Sequence, residues 1–513
     1  MRSSGQPRQV GALLALTFVA VTLAACSTRR PMYATALAGR SSEIPLPLSE
    51  GDSNLKIILT EGSGSRSRVV NDLAYLSDVI GPRLTGSAGL DRAHAWVQSK
   101  LGEYGADTVW SESYPFGRTW TRGAFALRLV APYESTIQGA SWGWAPGTDG
   151  PRTGDVALVS ARTEAEFTTR YAGRLRGKWV MLFRPYPLTN PDGPTLTASD
   201  SAAQSAQADT ITNVARTPEE RRYQGGLRAR LAGEGIAGIL RESSKDYGLL
   251  NMSGSPSVLY PYSVIVLAHE TYAQFTRLSE RNVATRLEAS IANSISADSV
   301  RQFNTFAEVR GREHPEEVVV VAAHLDSWDL GTGATDNGVG AAIVLEATRL
   351  IRLAGRPLRT VRFALFTGEE QGIIGSAAYV AAHPADMARV QAMLVLDHGT
   401  GRITGVALQG RDDLRDLWLS LFAPLSNLGP FHVRSGEKSG SDHLPFVAAG
   451  VPAFNPDQEE RGYDHTHHSQ IDTFDHVVPA DVRQAATVMA ALAYELADMP
   501  LRVSRVKSAA SNP

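Results

Sequence analysis

Acidic residues and histidines are concentrated at four places in the second half of the chain, each at the end of a predicted strand or in the loop after it. These places are residues 324–329, 333–338, 367–370 and 397–398. A histidine-rich stretch follows at residues 465–473. Because ligands of an open α/β sheet bind beyond the carboxyl ends of its strands, the sequence predicts that these side chains share one site.

Each motif also has a purely structural interpretation when it is taken alone. An Asp-Asn-Gly sequence is usually a turn or a helix cap. A Glu-Glu pair is typical of a solvated helix start, and single histidines or histidine clusters are common on surfaces and in loops. The repeated position of the motifs at strand ends favours the functional interpretation.

The residue types suit a site for two metal ions. Cys26 is the only cysteine of the sequence, so such a site has to use His, Asp and Glu. Zinc accepts imidazole and carboxylate ligands, and two zinc ions about 3.5 Å apart need a shared ligand. An aspartate in a tight loop beside glycine, such as Asp336, can offer one oxygen to each ion. Of two adjacent glutamates, such as Glu369 and Glu370, one can bind metal while the other takes a proton from water.

Taken together, the motifs resemble the dinuclear zinc aminopeptidase family, which includes glutamate carboxypeptidases and the transferrin receptor. Within that family they are most similar to the carboxypeptidase Q group. The segments that carry the resemblance are residues 80–87, 324–329, 336–338, 369–370, 397, 441–452 and 467–473.

The resemblance implies an exopeptidase that holds two Zn²⁺ per chain and hydrolyses dipeptides or short peptides. By position, Asp336 would bridge the two metals. His324 and Glu370 would complete one metal site, and Asp397 and His468 would complete the other. These roles are carried over from the family pattern.

The same resemblance gives two residues a role in catalysis. Glu369 would be the general base, and Asp326 would orient His324 through the second ring nitrogen of the histidine. A strict aminopeptidase, a glutaminyl cyclase and a non-catalytic receptor remain alternatives on this fold. The complete set of ligand positions argues against the receptor, and a serine hydrolase is disfavoured because no Gly-x-Ser-x-Gly elbow is found on a predicted strand-to-helix turn.

Three histidines compete for the last ligand position. The family pattern is His-Ser/Thr-x-x-Asp, and it fits His468 with Asp472, whereas His465 has Ser469 at the aspartate position. The pattern therefore favours His468. For His398, which follows Asp397, a place beside the metal ligands is favoured over contact with metal or substrate, and the roles of His398, His465 and His467 stay open.

The predicted elements that position these residues alternate between strands and helices. Residues 318–323, 361–366 and 393–396 are continuous apolar runs, as expected of strands that are covered on both faces. Helices are predicted at residues 338–354 and 482–499. The order predicts an α/β protein with a three-layer α/β/α sandwich around a mainly parallel sheet.

Two segments form the predicted catalytic domain, residues 66–140 and 295–500. Between them, residues 145–290 contain short strands, a helix and the sequence Gly-Ile-Ala-Gly-Ile-Leu at residues 235–240. This order resembles a protease-associated domain, so an inserted β-rich domain is expected there. Residues 501–513 are expected to be a disordered tail.

The N-terminal residues predict a location in the cell envelope. Residues 1–25 have the pattern of a signal peptide, and Leu-Ala-Ala-Cys at residues 23–26 resembles a bacterial lipobox that would lipidate Cys26. A lipoprotein of the outer membrane is expected, tethered by residues 26–65, with an ordinary secreted protein as the alternative. A net charge of −3 over 513 residues argues against a nucleic-acid partner, and a homodimer is left open.

Overall fold

The structure is a computed structural model, which describes residues 52–185 and 217–505. Its strands are β1 Thr108–Gly117, β2 Trp120–Thr121, β3 Phe125–Ala131, β4 Ser135–Thr136, β5 Gly139–Ser141, β6 Arg152–Leu158, β7 Trp179–Met181, β8 Gly238–Glu242, β9 Ser263–Leu267, β10 Arg286–Ile291, β11 Ser294–Ile295, β12 Val300–Val309, β13 His314–His324, β14 Arg359–Phe366, β15 Val390–Val395, β16 Ile403–Ala407, β17 His432–Arg434, β18 Ala453–Phe454 and β19 Pro456–Gln458. Its α-helices are α1 Ser53–Ser63, α2 Val69–Ala74, α3 Ala88–Glu103, α4 Glu164–Arg170, α5 Pro218–Glu234, α6 His269–Glu280, α7 Val339–Ala354, α8 Ile374–Ala382, α9 Arg415–Phe422, α10 His443–Ala448, α11 Tyr463–Thr466 and α12 Pro479–Asp498. Short π- or 3₁₀-helical turns lie at Tyr75–Ile80, Ala334–Gly338, Asp386–Arg389, Asp412–Leu414, Ala423–Leu428 and Phe474–His476.

A sheet of six strands carries the predicted site, in the order β1-β12-β14-β13-β15-β18. Strands β14, β13, β15 and β18 are parallel, while β12 and β1 run antiparallel at one edge. Strand β13 lies between β14 and β15, which explains its continuous run of β-branched residues. The prediction of a mainly parallel central sheet is confirmed.

Two apolar layers enclose this sheet, one on each face. Val319 and Val321 of β13 belong to the cluster that contains the buried residues of α1, α7 and α12. The alternate residues Val318 and Val320 belong to a second cluster, which includes Tyr379 of α8 and Phe446 of α10. Because successive side chains of a strand point to opposite faces, this division establishes the three-layer α/β/α sandwich that the sequence predicts.

A second sheet has eight strands in the order β4-β3-β10-β6-β7-β8-β9-β5. Its strands β6 to β9 pair in parallel, and α5 and α6 belong to the same stretch of chain. The sheet begins with β3, which pairs with β10, so the predicted start of the insert at residue 145 is too late. The reason is that β3 to β5 form the outer strands of a sheet whose centre comes later in the sequence. Its assignment as a protease-associated domain stays a prediction.

Helix α1 corrects the prediction of a tether over residues 26–65. Asp52 caps the helix by accepting the backbone N–H groups of Asn54 and Leu55 at 2.8 and 3.0 Å. Leu55 and Ile58 are fully buried in the core cluster that contains α7 and α12. Residues 53–63 are thus part of the folded domain, because their apolar face covers the C-terminal helix.

Several predictions concern residues outside the described ranges. These are the signal peptide, the lipidation of Cys26, the tether over residues 26–51 and the tail after residue 505. Within the described ranges, none of the helices is long and apolar enough to span a bilayer.

Candidate metal centre

Three neighbouring parallel strands bring predicted ligands to one edge of the central sheet. His324 is the last residue of β13, and Asp397 follows β15 by two residues. Glu369 and Glu370 follow β14 in a turn. Because β14 and β15 flank β13 on either side, the carboxyl ends of all three strands lie together. The structure therefore assembles these predicted residues as the strand pattern indicated.

Asp336 lies at the centre of this group and is 4% exposed. Its Oδ1 atom is 3.3 Å from Nε2 of His324, which is in turn 3.1 Å from Oδ1 of Asp397. On the other side, Oδ2 of Asp336 is 3.5 Å from Nε2 of His468, which is 2.9 Å from Oε2 of Glu370. The two oxygens of one carboxylate thus face two separate ligand groups.

The side-chain distances group the candidate ligands differently from the predicted division between two metals. The sequence paired His324 with Glu370, and Asp397 with His468, whereas the structure groups His324 with Asp397 and His468 with Glu370. The cause is the strand register, since the end of β15 lies directly beside the end of β13. Glu370 comes four residues after β14, far enough along the turn to reach His468.

The donor set fits zinc. Oδ2 of Asp336 and Oε2 of Glu370 are buried and have no hydrogen-bond partner in the described part of the chain, although His468 lies beside both. Buried carboxylate oxygens without a partner are costly unless a cation neutralises them. Imidazole nitrogens and carboxylate oxygens are ligands that zinc accepts. His324, Asp336 and Asp397 form one cluster that could hold an ion, and Asp336 with His468 belongs to a second one.

Asp326 holds the ring of His324 in place. Nδ1 of His324 is 3.0 Å from the backbone carbonyl oxygen of Asp326 and 3.7 Å from its Oδ1 atom. Oδ2 of Asp326 accepts a hydrogen bond of 2.8 Å from the hydroxyl of Thr85. Such contacts leave Nε2 of the histidine directed at the opposite side, toward Asp336 and Asp397. Asp326 lies where an orienting residue is needed, with its carbonyl closer to the ring than its carboxylate.

Glu369 occupies a fixed turn beside the ligand groups. Its backbone carbonyl accepts hydrogen bonds from the N–H groups of Gly372 and Ile373 at 2.8 and 2.9 Å. Burial, opposed in part by His324 and reinforced by nearby carboxylates such as Asp397, raises the pKa of Glu369 well above its usual range. A carboxyl group in such an environment takes up a proton more readily than an exposed one.

Two of the three competing histidines lie close to Asp336. Nε2 of His467 is 3.8 Å from Oδ2 of Asp336, and the His467 ring stacks on the His468 ring with centroids 3.7 Å apart. His468 also contacts Glu370, whereas His465 lies beside Tyr247. His468 therefore lies beside two carboxylates, those of Asp336 and Glu370, as expected of a metal ligand. His467 is a second imidazole beside Oδ2 of Asp336.

The sequence did not reveal the role of Arg83, although it lies in one of the family-like segments. The side chain is fully buried, and its guanidinium donates hydrogen bonds to the carbonyl groups of Gly81, Leu325, Thr332 and Gly333. Burial lowers the pKa of Arg83 to about 10. The arginine thus fixes the loop that joins His324 to Asp336, a role that only the folded chain makes visible.

The loop around Asp336 is held from both sides. Oδ1 of Asp472 accepts hydrogen bonds from the backbone N–H and the hydroxyl of Thr335, at 2.6 and 2.8 Å. Asn337 donates to the carbonyl of Leu396 at 2.8 Å and accepts from the N–H of Gly340 at 2.9 Å. Asp472 and Asn337 belong to the motifs but do not face the ligand groups. Their hydrogen bonds hold the loop that carries Asp336.

Taken as a whole, the fold and the site define an α/β/α hydrolase-like protein with imidazole and carboxylate groups paired across one central aspartate. The sequence profile of peptidase family M28 matches residues 304–493. Carboxypeptidase Q of Rattus norvegicus is 30% identical over 442 residues, which is 85% of this chain and 86% of the relative.

Solved structures have the same fold. A peptidase M28 precursor from Shewanella amazonensis SB2B matches with a TM-score of 0.71 and 23% identity, covering 89% of this chain and 99% of the other. A zinc aminopeptidase from Bacillus subtilis matches with a TM-score of 0.59 and 18% identity, again over 89% and 99%. The chain belongs to peptidase family M28. This membership identifies it as a zinc-dependent exopeptidase, the class that the motifs predict.

Proposed function

We propose that the protein is a dinuclear zinc exopeptidase that hydrolyses dipeptides or other short peptides. His324, Asp397 and one oxygen of Asp336 would hold one ion. His468, Glu370 and the other oxygen of Asp336 would hold the second. The observation that carries the proposal is the position of Asp336, whose two oxygens face separate pairs of ligands.

The residues of the chain divide the catalytic work among them. Bound zinc would supply a Lewis acid that polarises the scissile carbonyl and acidifies water. Glu369, which is adjacent to the ligand Glu370, accepts the proton of the attacking water and passes it to the amine that leaves. Asp326 holds the tautomer of His324 in which Nε2 can act as a ligand. The raised pKa of Glu369 fits a group that has to hold that proton between the two steps.

A substrate panel tests the exopeptidase assignment. Purified protein with zinc should release single amino acids from dipeptides or from amino-acid amides. The same preparation should make no internal cuts in a long peptide that is blocked at both ends, as seen by mass spectrometry. Chelation should abolish the activity and zinc should restore it. Internal cleavage of the blocked peptide would refute the proposal.

The location in the cell envelope is also a proposal, which rests on the sequence around Cys26. The lipobox-like residues would lead to lipidation of this cysteine and to anchoring in the outer membrane. Replacing Cys26 with Ala should move the protein from the membrane fraction to the soluble fraction. An unchanged distribution in cell fractionation would contradict lipid anchoring and favour an ordinary secreted protein.

A further inference from the structure

A segment of the second sheet contacts the loop that carries His468. Residues 243–252 follow strand β8. The backbone N–H of Met252 donates to the carbonyl of His468 at 2.9 Å, and the N–H of Leu250 donates to Oε1 of Gln470 at 2.8 Å. The second sheet therefore contributes directly to the wall of the candidate metal centre.

Lys245 is the basic residue of this segment that lies closest to the site. Its ammonium group donates a hydrogen bond to the backbone carbonyl of Asp464, at the start of the histidine-rich loop. It also interacts electrostatically with Asp336, His467 and His468. The ammonium group of Lys245, which follows a strand of the second sheet, thus lies near candidate ligands such as Asp336 and His468.

Two other cations near the centre already have most of their donors occupied. The guanidinium of Arg83 is bound to four carbonyl groups. The ammonium of Lys438 lies 2.9 Å from the carbonyl of Pro456, 3.4 Å from Oδ1 of Asn455 and 3.7 Å from Oδ1 of Asp457. Within the described ranges, the ammonium of Lys245 has one hydrogen-bond acceptor. Because an ammonium group carries three N–H donors, Lys245 retains donors for a ligand.

We propose that Lys245 binds the free C-terminal carboxylate of a short peptide substrate and so limits the leaving side of the substrate to a single residue. The proposal rests on the exopeptidase function proposed above. In a dipeptide the terminal carboxylate lies one residue beyond the scissile carbonyl, so a cation beside the metal ligands can reach it. A longer peptide would place an uncharged amide at the same position and lose the charge-assisted contact with Lys245.

Two substrates that differ in one group test this assignment. A dipeptide with a free carboxylate and its C-terminal amide share the same scissile bond and side chains. The wild-type enzyme should prefer the free acid by about 10- to 100-fold in kcat/KM, the range expected for one charge-assisted contact. Lys245→Met should lose that preference, mainly through a higher KM for the acid, while kcat/KM for the amide stays the same.

Two further variants separate recognition from a structural role. Lys245→Arg keeps the charge and should restore most of the preference for the acid. Lys178→Met removes a lysine that precedes β7 in the same sheet, and it should leave the preference unchanged. The metal content of all variants should equal that of the wild type.

The alternative outcomes are distinct. If Lys245→Met lowers kcat/KM equally for the acid and the amide, Lys245 only supports the histidine loop and the proposal is wrong. It is equally wrong if the wild-type enzyme cleaves acid and amide alike. If the metal-loaded wild type cleaves no dipeptide at all, the proposed exopeptidase function fails, and this proposal fails with it.

Discussion

The adjacent residues Glu369 and Glu370 have different surroundings, although the sequence makes them look equivalent. Glu370 lies 2.9 Å from the imidazole of His468, and one of its oxygens is buried without a hydrogen-bond partner among the described residues. Glu369 starts the turn and has a pKa that is raised by burial and by nearby carboxylates. These surroundings support the proposal that Glu370 binds metal and Glu369 transfers the proton.

Amide substitutions should therefore affect the two glutamates differently. Glu369→Gln keeps the shape and both metals, but an amide cannot accept the proton of water, so kcat should fall by about 10²–10⁴-fold. Glu370→Gln removes a charged ligand, so one metal should bind weakly and added zinc should restore part of the activity. Metal content and kcat of both variants provide the measurement. If Glu369→Gln loses metal while Glu370→Gln keeps it, the roles are reversed.

The hydrogen bonds of Arg83 lead to a prediction about the free energy of unfolding. Arg83→Met leaves four carbonyl acceptors without their donor in a buried place, which should lower the free energy of unfolding by about 3–5 kcal/mol. Arg92→Met is a matched control, because this exposed arginine donates to a single carbonyl, that of Ile80. The control should change stability by less than about 1 kcal/mol. Equal stability of both variants in chemical denaturation would show that Arg83 does not hold the loop.

The sequence alone identifies some residues of the candidate site and misses others. His324 and Asp397 could be found because a strand end is visible as the end of an apolar run. The role of Arg83 could not be found, since its acceptors are backbone carbonyls that no residue type identifies. The proximity of Asp397 to His324 was not predicted either, because the distance between side chains on two strands depends on a register that the sequence does not encode locally.

At the scale of elements, the order of the central strands decides which candidate ligands lie side by side. Strand β15 is the neighbour of β13, so Asp397 lies next to His324. The continuous apolar runs were sufficient to predict parallel strands, because buried strands need apolar side chains on both faces. Helix α1 was missed, since its apolar residues Leu55, Ile57, Ile58 and Leu59 form only one short group between polar segments.

The grouping of ligands can be tested with double substitutions. His324→Ala with Asp397→Ala removes two ligands of one ion, and such a protein should keep one zinc per chain. His324→Ala with Glu370→Ala removes one ligand from each ion, so both should bind weakly. Metal content after dialysis measures the difference, with far-UV circular dichroism as the control for folding. The opposite pattern would support the pairing predicted from the family resemblance.

At the scale of the whole molecule, a contact between the two sheets frames the site. The guanidinium of Arg122 forms two hydrogen bonds of 2.8 and 2.9 Å with the carboxylate of Asp329, which follows β13. It also donates to the carbonyl of Ser141 in β5 of the second sheet. Close by, the rings of Trp144 and Trp328 meet edge to face with centroids 6.4 Å apart. Such contacts join residues far apart in sequence, so the sequence alone does not reveal them.

Breaking this contact should destabilise the protein as a whole. Arg122→Met leaves the largely buried carboxylate of Asp329 without its partner, which should cost about 2 kcal/mol of unfolding free energy. It should also lower kcat/KM, because Asp329 belongs to the loop that joins His324, at the end of β13, to Asp336. Arg66→Met removes an arginine that pairs with Glu61 at the surface, and it should leave the melting temperature unchanged. Equal melting temperatures for the two variants would contradict the role of the contact.

The central claim is that Asp336 joins two zinc ions, and crystals of the zinc-loaded protein test it most directly. Anomalous difference maps from data collected on both sides of the zinc absorption edge locate each ion independently of the protein coordinates. The account predicts two peaks per chain, about 3.5 Å apart, one beside His324 and Asp397 and the other beside His468 and Glu370, with one oxygen of Asp336 at each. A single peak, or two peaks that do not share Asp336, would contradict it.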